Sequence, residues 1–283
     1  MHKLFHTIHV LSKGEQRRLG LFLRSALFNQ RQDVVRLYDC VLDGRHDDDQ
    51  KESLFVKACP DTPYSPQQMR LLMSYLQKLV DQFLALEQWQ NTAGAMENAL
   101  VQAYRQKGLE RHFQDALLLA KQTLERQLLR NSDYYIRQGA LLWEEARYYS
   151  LRHPEDEQYL VQLSDNADLL WLAQKLRYLC LHTAYSARFT PKQSLSLRLE
   201  VETILENSAF LEFPAISTWY YCLKMLEAPD AAGYFSRFKE GLLMQGHVFN
   251  SDEVRDLFLF AINYCIRRVN EGQSGFFHDI LDF

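Results

Sequence analysis

The chain has 283 residues, of which 47% are hydrophobic and 24% charged. That is the balance of an ordinary folded protein with room for one large core or two domains. A net charge of −4 excludes a global positive field that would draw the chain onto nucleic acid or an anionic membrane. Eleven glycines and seven prolines supply few β-turns, whereas long helices need little of either residue.

From the N-terminus, His2, His6 and His9 fall on one helical face. The segment is short and terminal, so they read as solvated rather than as metal ligands. The string SKGE, Ser12 to Glu15, fits a capping box that opens a helix running to about Ser25. A second helix is expected near 31–42. Residues 1–45 carry eight Lys/Arg against four Asp/Glu, and the two helices have the spacing of a helix-turn-helix. Arg17, Arg18 and Arg24 are therefore candidate phosphate contacts, although Asp33, Asp39 and Asp43 on the second helix would repel a nucleic-acid backbone.

An acidic and then proline-rich stretch, 43–66, marks an expected boundary, with a short helix around Glu52 to Ala58 inside it. The run HDDD, His46 to Asp49, lacks the ligand alternation and glycine of a calcium loop and reads as an exposed acidic segment. The expected organisation is a helical cap over 1–62 and a helical-repeat array over 63–283. Ser65-Pro66 reads as an N-cap with proline at the first helical position. Behind it, Met69, Leu72, Met73, Leu76, Leu79, Val80, Phe83 and Leu86 recur at helical steps.

Two helices are expected to meet at Lys107-Gly108. Asp133 is placed to cap the next one, with Ile136, Ala140, Trp143, Ala146 and Tyr149 or Ser150 along its line. Glu144 and Glu145 point about 100° apart on that helix and read as a solvated face. Further helices are expected near 156–187, 192–206, 215–228, 230–245 and 251–270, with no strand signal. The Tyr- and Trp-rich strings DYYI, RYYSL and TWYYC are expected in the core.

In the helix from about 251, capped by Ser251 or Asp252, one apolar line holds Val254, Leu257, Phe258, Ala261 and Cys265. A second holds Leu259, Ile262, Ile266 and Val269, so the helix is expected between neighbours, with Cys265 a small buried hydrophobe. Asp256, Asn263, Arg267 and Asn270 share the remaining stripe. Asn263, Arg267 and Asn270 are read as a structural polar seam in which Arg267 reaches Asn263 or a neighbouring helix end. Gly272 is placed to end the helix.

Consecutive helices with short joints predict an all-α array of antiparallel hairpins, an irregular tetratricopeptide-like solenoid without a strict 34-residue period. The five cysteines form no CxxC, and no phosphate loop, zinc motif or nucleophile elbow occurs. No catalytic, cofactor-binding or metal-binding residue is assigned, and no cofactor is expected. The expectation is a cytoplasmic, non-catalytic scaffold binding a protein or peptide. The alternative is a nucleic-acid-associated regulator using the basic N-terminal helices.

Two strings also carry a resemblance. Phe22, Leu23, Ser25, Phe28 and Asn29 match the start, and NYCIRRVNEG, Asn263 to Gly272, a later motif, of an uncharacterised all-helical family abundant in Bacteroidetes. Ala26 stands where that family has proline. The resemblance spans the chain and implies a tetratricopeptide-like fold, but no activity and no site residue. Family members continue with further helices beyond the second motif, so this chain is expected to be incomplete at its C-terminus.

Overall fold

The computed structural model describes residues 3–44, 51–186, 189, 195–206, 209–231 and 233–283. His2, the acidic run 46–49, Pro191 and the expected helix start near 192 lie outside them. The described residues are all-helical, without a strand. They form two compact units, Met1–Met96 and Glu97–Phe283.

The first unit holds α1 (Lys3–Val10), α2 (Lys13–Arg24), α3 (Gln32–Asp43), α4 (Lys51–Ala58) and α5 (Pro66–Asn91). Ser12 and Glu15 form the anticipated capping box, and Ser65 with Pro66 opens α5. Helices α3 and α5 each pack on the other four. Leu37, Val41, Leu72 and Leu76 from the two are almost wholly buried among Leu4, Leu19, Leu23 and Leu54. Tyr38 is also buried, and it donates to the Gln16 carbonyl at 2.5 Å. Burial pushes its phenol up to about 12. Helix α5, expected in the array from 63 onward, belongs instead to this first core, where its Met69, Leu72, Leu76, Val80 and Phe83 pack with the buried residues of α1–α4.

The second unit holds α6 (Ala95–Gln106), α7 (Glu110–Glu125), α8 (Ser132–Tyr149), α9 (Gln158–Ser186) and α10 (Arg198–Leu205). It continues with α11 (Pro214–Glu227), α12 (Tyr234–Gln245), α13 (Ser251–Asn270) and α14 (Phe276–Asp282). Gly108 ends α6 and Gly272 ends α13 at φ of 66° and 92°, left-handed values that favour glycine. Helix α8 packs on α7 and α9, α11 on α9 and α12, and α13 on α14. Trp219, Leu176, Leu179, Phe238 and Leu257 lie in one core.

Several expected faces are rotated. On α8 the buried apolar residues are Tyr134, Tyr135, Leu141, Leu142, Ala146 and Tyr148; of the expected line Ala146 is buried, while Ile136 and Trp143 are about half exposed. Glu144 and Glu145 are not a solvated face: Glu144 is buried against Arg105, and Glu145 pairs with Lys121. The cap of α8 is Asn131, not Asp133, which instead accepts a bond from Asn250 at 3.0 Å. Helix α13 is capped by Asn250 in a capping box with Glu253, rather than by Ser251 or Asp252. Its second apolar line is not sandwiched, since Leu259 is 50% and Ile266 45% exposed.

Candidate functional site

A cavity of about 730 Å³ opens between α9, α11 and α13. Helix α11 packs on both α9 and α13 and contributes Met225 and Leu226, followed by Pro229. One wall comes from Leu181, Ala184 and Tyr185 of α9, with Phe189 beyond its end; the opposite wall is Leu259, Phe260 and Tyr264 of α13. Proline-initiated α11 and Asn250-capped α13 fix the two helix starts. Tyr264 spans the gap by donating to the Pro229 carbonyl at 2.8 Å.

Four polar side chains reach this apolar space: Thr183, Asp256, Asn263 and Arg267. Thr183 Oγ1 is buried without a hydrogen-bond partner among the described residues. Asp256 accepts from Arg177 at 2.9 Å. Arg177 also approaches Glu253 at 3.9 Å, and Asn131 donates to the same Glu253 carboxylate. Burial raises the Glu253 pKa against the opposing pull of Asn131, Asn250 and Arg177. The cavity thus backs onto a buried polar chain that anchors the start of α13.

The anticipated seam is divided by the structure. Asn263 and Arg267 lie at the cavity, and Asp256 from the same stripe joins them, while Asn270 is exposed and does not line it. Among the described residues Arg267 bonds neither to Asn263 nor to another helix; its Nε donates to Glu271 one turn on, at 2.9 Å. The neighbouring Arg268 is the buried arginine of the pair, bonded to Asp230 at 2.6 Å and to Glu271 at 2.9 Å. Cys265 is fully buried beside this surface, and desolvation pushes its thiol up to about 11. The walls from α9 and α11 were not anticipated, because no local signal sets Leu181, Tyr185 and Met225 apart from other apolar positions of their helices.

The N-terminal arginines stand differently. Arg18 makes a two-pronged pair with Glu87, including Nε bonds of 3.0 Å to both carboxylate oxygens. Arg24 binds Asp39 at 2.6 and 2.8 Å and the Gly20 carbonyl at 2.9 Å. Arg17 is exposed and has no ion partner among the described residues. Helix α3, the recognition element of a helix-turn-helix reading, exposes only Gln32, Arg36 and Asp43.

The motif residues near α2 have structural roles. Phe22 and Phe28 stack at 4.3 Å, and Asn29 closes the α2–α3 turn by donating to the carbonyls of Leu23 and Arg31. Among the described residues no group of three or more His, Cys, Asp or Glu side chains is placed to hold a metal ion. His112, His182 and His247 do not line the large cavity. No helix of the described residues is long and apolar enough to cross a membrane. Comparison with family models, curated proteins and solved structures returned no match.

Proposed function

We propose that the chain is a non-catalytic helical scaffold that binds a protein or peptide segment in the groove between α9, α11 and α13. The observation that carries this reading is the pairing of an apolar cavity with exposed apolar rows beside it. Tyr178, Leu181 and Tyr185 form a helically spaced exposed row on α9, and Leu259 and Ile266 form another on α13. Such a surface exposed to water favours burial under a partner. The two rows would take apolar side chains from one face of an incoming helix or from alternate positions of an extended segment. Asp256, Asn263 and Arg267 at the cavity would fix register through hydrogen bonds.

The same reading holds the helices as an irregular, tetratricopeptide-like array in a cytoplasmic protein of the all-helical Bacteroidetes family that the two motifs resemble. The arginine pairs in the first unit favour it over nucleic-acid association. Arg18 and Arg24 already neutralise carboxylates, and transfer to phosphate would leave Glu87 and Asp39 without them.

Selection from a displayed peptide library tests the groove directly. We expect enriched peptides with apolar residues at helical or alternating spacing. Their binding should weaken at least about tenfold, the scale of losing one well-packed apolar anchor, in L259D or Y185D. It should be unchanged in L21D, which alters an exposed apolar side chain of the other unit. Enrichment indifferent to L259D and Y185D would sink the proposal.

A further inference from the structure

A second, smaller cavity of about 120 Å³ lies where α6 ends, α7 begins and α8 ends. Arg105, Arg147 and Arg152 line it, against one acidic residue, Glu110. Glu110 pairs with Arg152, and Glu144, which is not in the lining, pairs with Arg105. Those two carboxylates leave the third arginine uncompensated. Arg147 has no ion partner among the described residues; its guanidinium lies 5.7 Å from the Trp143 ring centre. Arg105 is also incompletely satisfied, because its Nη2 is buried without a hydrogen-bond partner.

With Arg105 and Arg152 offset by Glu144 and Glu110, the cavity keeps one surplus positive charge, that of Arg147, which an anion would neutralise. The surplus is local, since the whole chain carries −4. Guanidinium forks match the oxygen geometry of a phosphoryl group. The floor suits the same ligand: α7 starts after Leu109 with no side-chain cap, so its first-turn N–H groups and positive dipole end remain available. Gly108, in the left-handed region, leaves the approach clear, for a Cβ there would meet nothing within 4 Å.

We infer that this cavity is a binding site for a single phosphoryl group, held by the unpaired Arg147 and the start of α7, with Arg105 and Arg152 lining it and keeping their carboxylates. Its volume falls below the roughly 300–1,000 Å³ of sites that enclose a whole small molecule. The cavity takes the anionic group alone, and anything esterified to it extends into solvent. The site is separate from the groove between α9, α11 and α13 and does not depend on that proposal.

The test uses the full chain and inorganic phosphate at constant ionic strength, with thermal unfolding as the readout. A ligand bound only by the folded state raises Tm along a saturable curve. We expect that curve for the wild type and for R126Q, which removes one exposed charge at the far end of α7. R147Q removes a charge that has no ion partner to lose, so its Tm without phosphate should match the wild type. Its apparent Kd for phosphate should rise at least about tenfold, the scale of one lost charge-assisted hydrogen bond. A parallel titration with phosphoserine separates the two sources. Binding of both ligands assigns the site to an esterified phosphoryl group; binding of phosphate alone assigns it to the free anion. The inference is overturned if phosphate gives no saturable rise, or if R147Q and the wild type respond alike.

Discussion

Glu253 shows how a single buried carboxylate can carry several duties. Its side chain is 2% exposed, yet it caps α13, accepts from Asn131 and faces Arg177. Burial raises its pKa above the ordinary 4.5, outweighing those partners. An acid with a raised folded pKa contributes stability that is fully present below its unfolded pKa and is lost as pH rises through the folded pKa. In E253Q that pH-dependent loss should vanish while the amide oxygen still accepts from Asn131. Urea unfolding at intervals between pH 4 and 7 should therefore show wild type losing ground to E253Q as pH rises. E253A should instead lose about 1–3 kcal/mol, because buried Asn131 keeps only its long bond to Asp133, at 3.4 Å. The thiols give a second contrast at this scale. Cys180, Cys222 and Cys265 are wholly buried and Cys40 and Cys59 half-buried. An aromatic disulfide reagent should label only Cys40 and Cys59 in the native protein, and all five after denaturation. Early labelling of Cys265 would contradict the packing of α13.

At the scale of helices, residue spacing reveals bounds better than faces. Proline, glycine and capping signals stop or start a helix locally, which is why α2, α5 and α13 stand within a few residues of their expected limits. The buried face depends on partners distant in the chain. Helix α8 offers two apolar lines, and Leu172, Leu176 and Phe113 share a core with Tyr135, Leu141 and Tyr148 rather than with Ile136 and Trp143. Glu144 was unreadable for the same reason, its partner Arg105 lying 39 residues away. The large cavity was half legible: Asp256, Asn263 and Arg267 stood out as a polar stripe, but nothing local connects them to Tyr185 or Met225. The contact of α8 with α9 supplies a prediction. A Cβ on Gly139 would lie 2.8 Å from Asn166 Nδ2, which donates to the Tyr135 carbonyl at 3.0 Å. G139A should destabilise by about 1–2 kcal/mol through that overlap. In an N166A background the overlap is gone, and the same change should stabilise by up to about 1 kcal/mol, the helix preference of alanine over glycine. Equal effects of G139A in both backgrounds would show that the two residues are not coupled.

At the scale of the whole molecule, the two units have cores that share no residue. The first runs from Leu4 to Phe83, and the second begins at Val101. Each is built around its own long helices and holds charged pairs of its own: Arg18 with Glu87 in one, Arg105 with Glu144 in the other. A unit with its own core has the means to unfold on its own. The tryptophans allow this to be read separately in a W143F/W171F background, where Trp219 reports from the second core and the first unit has only Trp89, 40% exposed. Leu37 is wholly buried in the first core, and L37A should remove about 2–5 kcal/mol from the unit that contains it. Trp219 fluorescence should then report an unchanged denaturant midpoint, while helical circular dichroism gains an earlier transition from α1–α5. The converse substitution, L257A in the second core, should move the Trp219 midpoint and leave the early helical signal in place. A single transition that both substitutions shift together would show instead that the two units unfold as one cooperative body.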